Sequence, residues 1–496
     1  MSLSGMLFST VELAQELDTE LFPAGLDVPV RGVVCDSREV TDGDMFVALK
    51  GERTDGHRYV KSAFSGGASA ALVNSSWAQQ FDSSTLPEGK VLVVVDESPV
   101  LALGKAAQWY SKQFSIPTVA ITGSLGKTTT KDFTASIMGS EHSVLKSRGN
   151  YNTEIGIPLT LFRMRDHHST AVLEVAMRKP GDLSYLAKLT RPQVGVLTNI
   201  AESHMEFFGS LQEIAAGKAE LFEFLSDDEW AVINGQDRWG RWIAQQTTAQ
   251  KMFYHCADGN SGLECCADHF PQVTARNITL DKMARASFTL QMKNRGEFAV
   301  TLPVAGEHHV MNALAAVCVG MIYDIEPDDI ALGLNEANLT GMRSEWMECK
   351  DGLLILNDAY NSSPTSCKAA LRALMKSQVC GRRIAVLGDM LELGPIEESG
   401  HHEVGRYVAE VDPDFLVTVG SLAEQISHSA EKSDFDQAKT EHFEEVDELM
   451  AQLPRIVRSS DSVLVKASRG RRLERCVQLL GELFGGYTTE GEENTI

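Results

Sequence analysis

At 496 residues the chain is longer than one hydrophobic core can organise, so a division into about three domains is expected. Hydrophobic residues make up 43% and charged residues 23%, a balance that supports folded domains and excludes a largely disordered chain. The formal charge of -23 opposes association with nucleic acid or an anionic membrane surface, and any nucleotide site must therefore rely on local, preorganised donors.

In chain order, the opening MSLSGMLFSTVELAQELD lacks a basic stretch leading into an apolar core, and no apolar run approaches the ~20 residues that span a bilayer. A cytoplasmic chain without membrane insertion is expected. Strand-like apolar runs then alternate with amphipathic helical stretches: VLVVVDE from Val91, PTVAIT from Pro117, TAVLEVA from Thr170, QVGVLTNI from Gln193, LLILND from Leu353, RIAVLGD from Arg383, DFLVTVG from Asp414 and SVLVKAS from Ser462. That alternation predicts an α/β fold of parallel sheets with crossover helices. An antiparallel interruption is expected between Ala284 and Leu302, with Asn294, Arg295 and Gly296 as its turn. Boundaries near Phe114 and Gly341 divide the chain into residues 1–113, 114–340 and 341–496. The tail from Gly485 is acidic, Gly-rich and poor in apolar residues, so it is expected to stay unpacked. Nine cysteines are scattered without a CxxC pair, only Cys265 and Cys266 being adjacent, and are read as reduced thiols.

The run PTVAITGSLGKTTTKDFTASIMG has the order strand, glycine loop, helix. Gly123 and Gly126 let backbone N–H groups approach phosphate oxygens, and Ser124 and Leu125 complete the loop between them. Lys127 supplies a mobile charge, Thr128 an oxygen ligand for magnesium, and Thr129 continues the first helical turn. The loop is shorter than the usual Walker pattern, which wants glycine where Ile121 stands. ATP or GTP binding follows. Phosphoryl transfer also needs acidic or neutral oxygen ligands nearby, and Glu174 ends the strand TAVLEVA at the edge where ligands collect in an open parallel sheet. Farther on, Ser210-Leu-Gln-Glu213 has the S-x-x-E capping pattern, so a helix carrying Lys218 should begin there, with His204 in the preceding loop.

The compact loop TGSLGKTTT resembles that of the Mur ligase family, and further segments resemble the same family in order: NYNTEIGIPLTL (Asn150 to Leu161), LTNIAESHMEFFGSLQEIAAGKAELF (Leu197 to Phe222), GEHHVMNALAA (Gly306 to Ala316), NDAYNSSPTS (Asn357 to Ser366), VLGDMLELG (Val386 to Gly394) and LVKASRG (Leu464 to Gly470). The last three look like the member that adds D-alanyl-D-alanine to a UDP-muramoyl tripeptide. Two departures are Ala176, where glycine often follows the metal glutamate, and Thr153, where asparagine is common.

The resemblance implies a central P-loop domain with a doubly wound, mostly parallel sheet, a C-terminal Rossmann-like domain and a smaller N-terminal α/β domain that binds UDP. It also implies a monomeric ATP-dependent ligase acting on small molecules through an acyl phosphate. Two magnesium ions are expected, held by Thr128, Glu174, His204 and Lys218, the last as a carbamate formed with carbon dioxide. His308 and Asn312 are expected near the adenine or its supporting loop, Arg343 on an ATP phosphate and Asp358 on the ribose. Tyr360, Asn361 and Pro364 are expected to line the nucleotide or the incoming dipeptide. In the segment from Cys35 to Val73, Ser37, Arg38, Phe46, Ala48, Lys50 and the turn Asp55-Gly56-His57 are expected to meet the uridine and pyrophosphate. Asn150, Asn152, Thr153 and Glu154 are expected to meet the peptide-bearing substrate. The alternatives are the preceding ligase, which adds a diamino acid, and a P-loop NTPase switch that hydrolyses nucleotide without a muramoyl substrate.

Overall fold

The computed structural model describes residues 5–51, 54–203, 205–257, 271–379 and 381–488. Cys265, Cys266 and the acidic tail from residue 489 lie outside them; the start of that tail, expected to stay unpacked, instead packs, because Tyr487 reaches the core, bridges to Cys349 and donates its hydroxyl to Val477 O at 2.6 Å. Contacts gather the chain into two compact units: one comprises residues 1–120, 142–177 and 181–193, the other residues 121–141, 178–180 and 194–496.

The first unit is built on a five-stranded sheet in the order Glu20–Phe22, Val91–Val95, Ala70–Asn74, Asp44–Val47, Gly32–Val34. The first pair is antiparallel and the others parallel. Val91–Val95 and Ala70–Asn74 are nearly continuous apolar runs because helices cover both faces, leaving no solvent side to require alternation. A parallel pair, Val144–Lys146 with Thr170–Glu174, belongs to the same unit.

In the second unit, Val194–Leu197, Trp230–Asn234, Gln250–Cys256 and Val273–Leu280 pair in parallel. The expected interruption follows: Arg285–Met292 and Gly296–Ala305 pair antiparallel, and Asn294 turns the chain with φ +63°. Burial alternates along Arg285–Met292, as a strand with one core face requires. A further six-stranded sheet has the order Glu345–Glu348, Leu354–Asp358, Ser462–Lys466, Arg383–Gly388, Phe415–Val419, Thr440–Phe443. Only its first strand is antiparallel. Leu356, Leu387, Leu416 and Leu464 pack on one face with Leu371, Val404 and Ile426 from three helices, while Ile355, Val386, Val417 and Val463 pack on the other with Leu449, Leu453 and Leu480. Helices on both faces put the strand ends, where loops converge, at the disposal of ligands.

All eight expected strands form. Cys35, Cys256, Cys318, Cys349, Cys367 and Cys476 are free thiols. No helix among the described residues is long and apolar enough to cross a membrane.

Candidate active site

The strand Thr118–Thr122 is buried throughout and delivers the chain into the loop Gly123–Gly126, after which the helix Lys127–Met138 begins. Gly126 caps that helix at φ +79°, in the left-handed region, and a Cβ there would fall 2.2 Å from Asn312 Oδ1. Gly123 has φ +147°, and its Cβ would fall 1.8 Å from Thr198 Oγ1. Both positions therefore exclude side chains for two reasons, conformation and space. The loop is braced by the segment after Val194–Leu197. Ser124 N donates to Asn199 O (2.9 Å), Leu125 N to Asn199 Oδ1 (3.0 Å), Thr198 Oγ1 to Leu125 O (2.6 Å) and Ser124 Oγ to Ala201 O (2.9 Å). Those bonds consume the N–H groups of Ser124 and Leu125, which leaves the first turn of the helix to offer backbone donors to an anion. We expect Gly126→Ala to lower stability by about 1–3 kcal/mol and to weaken ATP binding more than tenfold. Denaturant unfolding and titration calorimetry check both; wild-type affinity in a folded Gly126→Ala protein would show that the loop tolerates what its geometry forbids.

Two lysines converge on one carbonyl. Lys127 Nζ donates to Gly123 O at 2.9 Å and to Ser124 O at 3.2 Å, and Lys218 Nζ donates to Gly123 O at 3.0 Å. Lys218 rides on the helix Leu211–Glu223, which starts where the capping pattern places it: Ser210 Oγ accepts from Glu213 N at 3.2 Å, while the Glu213 carboxylate takes Gly209 N at 3.0 Å. The Lys218 side chain is 2% exposed, and burial, with the Lys127 charge beside it, holds its amine well below the ordinary lysine value. Thr128, in the first turn of the phosphate-loop helix, is buried. His204 lies outside the described residues. Among the described residues no three His, Cys, Asp or Glu side chains gather as a metal cluster.

Asn312 lies over Gly126 and its Nδ2 meets His309 Nδ1 at 3.2 Å. His309 is buried, and burial, followed by the neighbouring His308 and Arg343, keeps its imidazole neutral by holding its pKa well below the usual value. His308 is exposed, with its ring 4.0 Å from that of His309. Arg343 stacks on Tyr360, its guanidinium carbon 4.1 Å from the ring centroid, and its Nε is buried without a hydrogen-bond partner among the described residues. Asp358 ends the strand Leu354–Asp358; it accepts Ser344 N (3.1 Å) on one oxygen and pairs with Lys466 Nζ (2.6 Å) through the other. Lys466 also donates to Asn361 O at 2.9 Å. Pro364 is buried at the first position of the helix Pro364–Lys376, where its missing N–H costs nothing.

Glu174 and the Asn150–Glu154 loop fall in the first unit. Asn152 Nδ2 donates to Glu174 Oε1 at 2.7 Å, and Asn152 O accepts Ala176 N at 2.9 Å, so the loop is stitched to the end of the strand Thr170–Glu174. Glu174 is 2% exposed, whereas Asn150 and Glu154 are exposed and Thr153 is half-buried, its carbonyl accepting Ile157 N at 2.9 Å. Of the residues expected at the uridine, Arg38 is exposed and forked onto Asp36, Ser37 is half-buried and Lys50 exposed. Phe46 and Ala48 are buried in a core cluster with Val60 and Phe64. His57 is spoken for on both nitrogens. Asn74 N donates to Nε2 at 3.1 Å, which leaves Nδ1 as the protonated nitrogen, 2.6 Å from Asp55 Oδ1. Gly56 lies so close to Leu49 that a Cβ would fall 2.7 Å from its backbone N and O.

Thr198, Asn199, His309 and Lys466 stand in the quoted motifs: Thr198, Asn199 and Lys466 each act on a partner distant in sequence, Lys466 on Asp358 across 108 positions, so nothing local marks them, whereas His309 meets Asn312 one turn along its own helix.

Three family models tile the chain: Mur ligase family, catalytic domain at residues 29–110, Mur ligase middle domain at 121–320, and Mur ligase, glutamate ligase domain at 342–469. The UDP-N-acetylmuramoyl-tripeptide–D-alanyl-D-alanine ligase of Bacillus subtilis is 34% identical over 91% of this chain and 93% of its own. The Escherichia coli enzyme of the same name is 33% identical over 95% and 98%. Among solved structures, MurF from Acinetobacter baumannii superposes with TM-score 0.81 at 29% identity, covering 96% of this chain and 98% of its own. MurF ligase from Thermotoga maritima in complex with ADP gives 0.74 at 28%, covering 91% and 97%. Similarity of that extent runs through all three of the modules the family models describe, and the chain belongs to the Mur ligase family.

Proposed function

We propose that this chain joins D-alanyl-D-alanine to UDP-N-acetylmuramoyl-tripeptide at the expense of ATP, giving the UDP-muramoyl pentapeptide of peptidoglycan synthesis through an acyl phosphate. The observation that carries this reading is end-to-end similarity to ligases of that name, at 33–34% identity, in a chain whose Lys127 and Lys218 converge on the phosphate loop. Residues 1–113 would hold the UDP end, 114–340 the ATP, and 341–496 the incoming dipeptide.

Activation comes first because a carboxylate is a poor electrophile. A terminal carboxylate oxygen of the tripeptide attacks the γ-phosphorus, the bond to the ADP oxygen breaks, and Lys127 neutralises charge that develops on the transferring group. Backbone N–H groups at the start of the helix Lys127–Met138 hold the phosphates in line. The dipeptide amine then attacks the acyl carbon, the carbon–oxygen bond to phosphate breaks, and the amine proton is released with the phosphate. Arg343, which stacks on Tyr360, would bear on a phosphate, and Asp358, which pairs with Lys466, on the ribose. No covalent nucleophile of the protein is needed. Magnesium would be held by Thr128, Glu174, His204 and a carbamylated Lys218, and when bound supplies positive charge to the phosphate oxygens. Burial of the Lys218 amine, with the Lys127 charge beside it, disfavours its ammonium form and so supports the carbamate, because carbon dioxide adds to an unprotonated amine and the product's negative charge would sit beside Lys127.

Hydroxylamine trapping tests the intermediate. With ATP, magnesium and UDP-muramoyl tripeptide but no dipeptide, hydroxylamine should yield a tripeptide hydroxamate in an ATP-dependent manner. ATP hydrolysis at the same rate without tripeptide, and no hydroxamate with it, would favour the P-loop switch instead.

A further inference from the structure

The segment between the helix Pro327–Asn335 and Arg343 is held at both ends. On one side, Asp132 projects from the phosphate-loop helix and is 1% exposed. Its Oδ2 accepts both Thr340 N (2.8 Å) and Thr340 Oγ1 (2.7 Å), and its Oδ1 lies 3.3 Å from the buried Lys131 Nζ. On the other side, Ser344 N donates to Asp358 Oδ1 at 3.1 Å. Between the two anchors the backbone is in an unfavourable state: Met342 and Ser344 are non-glycine residues at φ +63° and +51°. Such a conformation persists only where surrounding contacts over-determine it. The preceding helix Pro327–Asn335 is also seated on the phosphate-loop helix, since a Cβ at Gly333 would fall 2.8 Å from Ile137 Cα.

We propose that Asp132 is a positioning residue: by gripping Thr340 it carries the placement of the phosphate-loop helix along the kinked linker to Arg343, and so sets where that guanidinium stands when ATP is bound. This rests on the reading of Arg343 as a phosphate contact. A carboxylate suits the task because it accepts two hydrogen bonds on one oxygen while its other oxygen balances a buried lysine, so the anchor is both directional and charge-assisted. Anchoring on the phosphate-loop helix itself ties the segment that carries the arginine to the element that carries the loop, the arrangement a transition-state contact needs.

The test is a double-mutant cycle on the full-length enzyme with all three substrates. Thr340→Val removes the hydroxyl donor at nearly constant volume and should lower kcat about tenfold, the worth of a hydrogen bond to a charged group, with ATP affinity changed less than twofold. Thr340→Ser, which restores the donor, should return kcat to within about twofold of wild type, and in an Arg343→Ala background Thr340→Val should have no further effect. Unchanged kcat in Thr340→Val overturns the proposal. So does an equal loss with and without Arg343, or a loss that Thr340→Ser does not repair and that accompanies a lowered thermal midpoint. Full activity in Arg343→Ala alone would overturn the phosphate reading of that residue as well, which separates failure of the anchor from failure of the contact it serves.

Discussion

Lys127→Met should lower turnover about 10³-fold while leaving the protein folded, because it removes the one mobile charge that the phosphate loop carries into the transition state. Its amine now rests on the carbonyls of Gly123 and Ser124, at 2.9 and 3.2 Å, bonds that hold the side chain along the loop. A phosphate oxygen accepting from the same amine gains a charge-assisted bond, stronger than one to a neutral carbonyl. Methionine keeps the unbranched stem as far as Cε and loses the terminal donor and its charge, so the thermal midpoint should move little. ADP formation measured with all three substrates gives the number. A kcat within tenfold of wild type would mean that charge on the transferring group is neutralised elsewhere.

Lys218→Met is expected to have an effect of similar size, for a different reason. The wild-type amine is buried and beside a second lysine, an arrangement that penalises the ammonium form and makes little sense for a structural charge. Methionine fills the same volume without the desolvation penalty, so stability should hold or rise while turnover falls about 10³-fold. Bicarbonate distinguishes the carbamate from a plain amine. Wild-type enzyme depleted of carbon dioxide should lose activity and regain it on adding bicarbonate, whereas Lys218→Met should gain nothing. Activity of the depleted wild type equal to that of the untreated enzyme would refute the carbamate, and full turnover by Lys218→Met would refute any role for the residue in the reaction.

What the sequence made legible was what short segments determine on their own. The eight apolar runs became strands because each carries its own burial requirement, and Ser210 with Glu213 started a helix because an N-cap needs only neighbours within one turn. Gly123 and Gly126 were marked by the order strand, loop, helix, and both take the positive φ their loop demands. Relations across long stretches were not legible. Lys218 reaches Gly123 O across 95 positions and Thr340 reaches Asp132 across 208, distances over which no periodicity or spacing carries information. Buried polar pairing was hidden for the same reason. His57 reads as a turn residue available to a ligand, yet its ring is committed to Asp55 and to the amide of Asn74. Phe46 and Ala48 sit in a run that serves equally as ligand-facing loop edge or core strand, and the sheet takes them into its core.

The central claim is that the phosphate loop hands a phosphoryl group to a carboxylic acid that an amine then captures. Mass spectrometry of the nucleotide product after incubation with ATP, magnesium, UDP-muramoyl tripeptide and D-alanyl-D-alanine tests it most directly. The expected product is heavier than the starting nucleotide by the dipeptide less one water, formed with one ADP and one phosphate for each amide bond. A nucleotide of unchanged mass, with or without ADP release, would contradict the account.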